Sequence, residues 1–90
     1  MGKGSDSNVF YFLAIYDGHG TSGKDASLSC SDYVEQYLVT RSKQISKMNS
    51  HKKINKLLRN SFKDTEKKMK GSGIDYNASG TCCISVFVKN

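Results

Sequence analysis

Val9-Phe10-Tyr11-Phe12-Leu13-Ala14-Ile15-Tyr16-Asp17-Gly18-His19-Gly20 is an apolar octet that stops abruptly at a carboxylate. The octet is rich in aromatic and β-branched residues and has no helical period, which predicts a strand over 9–16. Its unbroken apolarity predicts that both faces are covered, as in a central strand. Three glycines then mark residues 17–24 as a loop. A carboxylate at a strand end, between a core and two flexible glycines, can reach a metal ion or a phosphate. Asp17 is therefore the first candidate functional residue, with Gly18 and His19 beside it.

Moving outward, the spacing predicts a helix from about 23 to 39. Ala26, Cys30, Tyr33, Val34, Tyr37 and Leu38 fall on one stripe at three- and four-residue intervals. Ser22 is placed to cap it, and Asp25 lies in its first turn, where the helix dipole favours an acid. Residues 40–49 form a polar, basic connector with a partial turn around Ile45 and Met48. A second helix is expected over 50–70, with Ile54, Leu57, Leu58, Ser61, Phe62, Thr65 and Met69 as its stripe and Gly71 as its stop. Ser72 to Ala78 is a turn, and a second apolar strand runs over 79–88. The order is β-α-α-β in an α+β fold. Two helices, out and back, make the strands antiparallel, so that Asp17-Gly18-His19 and Ser79-Gly80-Thr81 meet at one end of the sheet.

Those two segments carry a resemblance. An apolar strand ending in Asp-Gly-His, followed at the appropriate distance by Ser79-Gly80-Thr81 and the apolar run Cys82 to Val88, resembles the metal-dependent Ser/Thr protein phosphatases of the PP2C (PPM) family. The resemblance implies a β-sandwich flanked by antiparallel helix pairs, with two metal ions held at one end between the sheets. Residues 1–90 would then be a partial phosphatase domain, its first third without the opening strand. By the same resemblance Asp17 bridges two Mg²⁺ or Mn²⁺ ions, Gly18 ligates one through its carbonyl, and His19 protonates the leaving alkoxide. The residue types suit those tasks. Hard divalent ions take oxygen donors, two metals activate a water against a phosphoester, and an imidazole titrates near neutrality. Tyr16 is expected to pack behind the site.

The family also uses an Arg with an acidic pair upstream and two aspartates far downstream, and Asp6, Asp25 and Asp75 do not sit in matching motifs. The 90-residue chain is therefore expected to be inactive by itself, as one part of a larger domain that acts on phosphoserine and phosphothreonine proteins. Both strands are apolar on two faces and two helices can cover only one, so the isolated chain is expected to self-associate through the other.

Composition bounds the alternatives. Ninety residues make a marginal domain on their own. No apolar run is long enough to cross a membrane, and no basic-then-apolar leader opens the sequence. Met1-Gly2 lacks the Ser or Thr at position 6 that myristoylation favours, since Asp6 stands there. Cys30, Cys82 and Cys83 are an odd number without metal-ligand spacing. They read as reduced core residues of a cytoplasmic or nuclear protein. Asn77-Ala78-Ser79 is a formal sequon without a secretory context.

Two other functional classes compete. Gly18-His19-Gly20-Thr21-Ser22-Gly23-Lys24 fits the spacing of a nucleotide-binding P-loop after a strand and before a helix, but Asp25 stands where Ser or Thr would hold Mg²⁺. The net charge of +6 is concentrated in residues 40–70, where eleven Lys/Arg face two acids. Such a helix could serve a basic interaction module, either alone or in a non-catalytic pseudophosphatase. Nucleic-acid binding is not favoured, because the lysines are not interleaved with exposed aromatics.

Overall fold

A computed structural model of the chain describes residues 9–73 and 79–89. Met1-Gly2, Asp6, Asp75 and Asn77 lie outside the described residues, as do residues 74–78 of the expected turn. The described chain is α+β, in the order β1 (Phe10–His19), α1 (Gly23–Thr40), α2 (Ser42–Ser46), α3 (His51–Lys70) and β2 (Gly80–Lys89). The strands form a two-stranded antiparallel sheet, with Phe10 opposite Lys89 at one end and His19 opposite Gly80 at the other. The two motifs therefore meet at one end of the sheet.

Three expectations are corrected. The strand does not stop at Tyr16. Asp17, Gly18 and His19 pair with Cys82, Thr81 and Gly80, so residues with poor strand propensity are held extended by the ladder. The expected loop 17–24 shrinks to Gly20–Ser22, because Gly23 and Lys24 already belong to α1. The connector is the short helix α2, since Ile45, only 1% exposed, is drawn into the core.

The stripe of α1 is the centre of that core. Ala26, Cys30, Val34 and Leu38 are buried with Ile45 and Leu57. Phe10, Phe12, Tyr16 and Phe87 pack on them from the sheet, and the Phe10 and Phe87 rings stack at 5.5 Å. On α3 two buried stripe positions are hydroxyl residues. Ser61 donates to the Leu58 carbonyl at 2.6 Å and Thr65 to the Ser61 carbonyl at 2.7 Å. Both polar groups are satisfied within the helix, so their burial carries little desolvation cost. Ser50 begins α3 by accepting a hydrogen bond from the Lys53 N–H.

The expectation that two helices can cover only one of the two apolar strand faces holds. The helices cover one face only. On the other, Tyr11, Leu13, Ile15, Ile84, Val86 and Val88 are 48–74% exposed.

Behind the covered face Tyr16 stands opposite Cys83 in the ladder. Burial raises the Tyr16 phenol well above its ordinary value, with charge on Cys83 and Cys30 adding to the effect. Burial likewise raises the Cys30 and Cys83 thiols, the latter opposed by its hydrogen bond with Tyr16. The fold thus prefers all three groups protonated. That preference contributes in full below the ordinary thiol range, about 8.5, and is lost as pH rises through it and through the phenol range, about 10. The urea midpoint should hold level to about pH 8 and fall from about pH 9, with Tyr16→Phe flattening the fall above about pH 10. A midpoint that stays level throughout contradicts this assignment.

Candidate functional site

Alternation along β1 decides where the candidate residues sit. Phe10, Phe12, Ala14, Tyr16 and Gly18 turn toward the helices, whereas Tyr11, Leu13, Ile15, Asp17 and His19 lie on the exposed face. Asp17 and His19 are therefore neighbours on one face, separated by two strand rises of about 3.4 Å each. They stand at one end of the uncovered apolar surface. The ring of His19 lies across its cross-strand partner, such that a Cβ on Gly80 would come within 3.0 Å of the imidazole Nε2. Tyr16 is on the opposite face from Asp17, where it lines an apolar groove of ≈ 450 Å³ with Phe10, Phe12 and Ala14.

Gly18 makes a close backbone contact. A Cβ there would collide with the backbone carbonyl oxygen of Gly23, and a Cβ on Gly23 would lie 2.9 Å from the Gly18 carbonyl carbon. The two glycines let the end of β1 and the start of α1 touch backbone to backbone. Gly20, at φ 86, turns the chain between them, and the Gly23 N–H donates to the Gly20 carbonyl at 3.1 Å. Ser22 occupies the cap position of α1, yet its hydroxyl makes no capping bond. Its backbone N–H instead donates to the Oγ of Ser79 at 2.8 Å, and Thr21 Oγ1 lies 3.5 Å from that same oxygen. Ser79 is 4% exposed. Sequence reasoning singled out the Ser79 motif without giving the serine a task. A short hydroxyl just before a strand that pairs with a glycine-bounded strand end is the signal that was available.

The donor type at Asp17 fits a hard divalent cation, since its exposed carboxylate offers oxygen and makes no hydrogen bond or ion pair among the described residues. The set is incomplete. Among the described residues no group of three or more His, Cys, Asp or Glu is arranged to hold a metal ion. Asp25 lies on the first turn of α1. Cys82, opposite Asp17, is exposed rather than a core residue. Its soft sulfur does not suit Mg²⁺.

The residues of the competing readings have definite places in the fold. Of Gly18 to Lys24, four residues belong to regular elements and the Ser22 N–H is already bonded. The loop between them is the three residues Gly20–Ser22. On α3, Lys52, Lys53, Lys56, Arg59, Lys63 and Lys67 are exposed, while Lys68 pairs with Asp64 at 3.2 Å. Arg41 stacks on the Tyr37 ring at 3.6 Å and Lys68 lies 5.7 Å from that of Tyr33. These rings are engaged by the chain's own cations rather than presented for base stacking. No helix among the described residues is long and apolar enough to cross a membrane. Comparison of the chain with protein-family models, with curated proteins and with solved structures finds no match in any of the three.

The glycine contact is open to a direct test. Gly18→Ala should cost at least about 2 kcal/mol, lowering the melting temperature by on the order of 10 °C. Gly71→Ala, where the new Cβ meets nothing closer than 3.7 Å, should stay within about 0.5 kcal/mol of the parent. A Gly18→Ala protein that melts with the parent would remove the contact from the account.

Proposed function

We propose that residues 1–90 form part of a PP2C-type, metal-dependent protein Ser/Thr phosphatase domain. The observation that carries this reading is the shared face: Asp17 and His19 side by side at the end of the sheet, with the Ser79-Gly80-Thr81 motif directly across the ladder. Asp17 would hold Mg²⁺ or Mn²⁺ through its carboxylate, with the Gly18 carbonyl as a further oxygen donor. When bound, such ions neutralise phosphate charge and lower the pKa of the attacking water. His19, one residue beyond on the same face, donates a proton to the departing serine or threonine oxygen. The remaining carboxylates belong to the rest of the domain, which packs on the uncovered face. One carboxylate and one carbonyl hold an ion only weakly, so the chain alone is inactive. Its substrates in the whole domain are phosphoserine and phosphothreonine proteins of a reducing compartment, the cytoplasm or nucleus.

Amide NMR during a Mn²⁺ titration tests the assignment. Broadening should centre on Asp17, Gly18 and His19, with a dissociation constant of about 1 mM or weaker, and should disappear in Asp17→Asn. Broadening confined to other acids, such as Asp64 and Glu66, would defeat it. The isolated chain should hydrolyse a phosphothreonine peptide no faster than background. Mn²⁺-dependent turnover abolished by Asp17→Asn would show that this piece is sufficient after all.

In the absence of the rest of the domain, a second copy takes its place on the sheet. The six exposed side chains offer on the order of 600 Å² of apolar surface, the upper end for a lone domain and close to the ~800 Å² per partner of a standard interface. The chain should sediment as a dimer, and Leu13→Thr with Val86→Thr, which are cross-strand partners, should yield a monomer of unchanged helix content. A parent chain that is itself a clean monomer contradicts this pairing.

A further inference from the structure

We infer that Ser79 and Gly80 are positioning residues for the Asp17-Gly18-His19 strand end. The inference rests on the proposed role of that strand end, but its geometry stands independently. Three contacts converge where β2 begins. The Ser79 hydroxyl oxygen accepts the Ser22 N–H at 2.8 Å, fixing the last residue of the turn that follows His19. That N–H lies at a helix start, where backbone donors have no partner within the helix. Thr21 Oγ1, at 3.5 Å, brings a second turn residue to the same oxygen. One residue on, Gly80 lies directly opposite His19 and presents a bare Cα, on which the imidazole rests; an added Cβ would be 3.0 Å from Nε2 and 3.2 Å from Cε1.

The two residues do different things. Ser79 is nearly inaccessible, and its hydroxyl ties β2 to the turn, so Gly18 and Gly23 are kept in contact from both sides. Gly80 sets how low the His19 ring can lie on the sheet, and hence where its nitrogens stand relative to the Asp17 carboxylate on the same face. A substrate phosphate held near Asp17 would need that nitrogen at a defined height to protonate its leaving oxygen. Neither residue touches the reacting atoms; each acts through the residues it holds.

Gly80→Ala separates positioning from stability. Alanine is better than glycine within a strand, and the atom it meets is the far end of a movable side chain. The variant should therefore unfold at the same urea concentration as the parent or a higher one. Its His19 ring resonances should shift, while those of His51 stay fixed. For Ser79, the Ser22 amide should exchange with solvent at least ~10-fold faster in Ser79→Ala than in the parent. Ser79→Thr, which keeps the hydroxyl, should restore slow exchange. An unmoved His19 in a folded Gly80→Ala chain, or a Ser22 amide equally fast in parent and Ser79→Ala, overturns the inference. Neither readout requires a metal. A chain that passes both yet shows no Mn²⁺ broadening at Asp17 keeps the positioning roles and loses the phosphatase assignment. The reverse result keeps the metal site and removes Ser79 and Gly80 from its support.

Discussion

The contact between the backbones of Gly18 and Gly23 is the constraint on which the rest of the arrangement depends. Only Gly20–Ser22 separate the end of β1 from the start of α1, and a reversal that short requires the two elements to touch. Any side chain at residue 18 would drive the helix off the strand. With the contact made, Ala26, Cys30, Val34 and Leu38 arrive beneath the inward residues of β1, and Ile45 and Leu57 close the core around them. The strand end, the turn and the first turn of the helix are thus one rigid corner, tied on its far side by Ser79.

Covering one sheet face leaves the other as the least satisfied surface of the molecule. A layer over this face would remove that apolar surface from water. Among the described residues β1 and β2 are the two strands of the sheet. A two-stranded sheet gains much of its stability from packing on such layers rather than from its ladder.

Much of this was legible in the sequence because it is periodic. The α1 stripe, the α3 stripe through Leu57, Ser61 and Thr65, and the antiparallel meeting of the two motifs follow from spacing and from helices that run out and back. What periodicity misses is pairing. Asp17, Gly18 and His19 have loop-like propensities, and only the opposite strand, far along the chain, holds them extended. That pairing then decides the site, since alternation carried past Tyr16 is what brings Asp17 and His19 to one face. Ile45 and Met48 signalled a partial turn in the basic connector, and the burial of Ile45 accompanies a short helix at Ser42–Ser46. Ser22 looked like a cap by residue type, but the hydroxyl of Ser79 reached its backbone instead.

The two deficits of the described chain lie on the same surface. Its hydrocarbon is uncovered from Tyr11 to Ile15, and its one well-placed carboxylate, Asp17, lacks companions at the end of that same row. In water a lone carboxylate attracts a cation feebly, since the solvent's high dielectric weakens the field and competes for the ion. A second layer seated on the apolar residues would displace that water and lower the local dielectric around Asp17 and His19. Carboxylates brought by the layer would then act at short range and with far greater effect. The alternation that exposes Leu13 and Ile15 also puts Asp17 and His19 on that face. Hydrophobic cover and electrostatic competence are in this geometry the consequence of a single packing event.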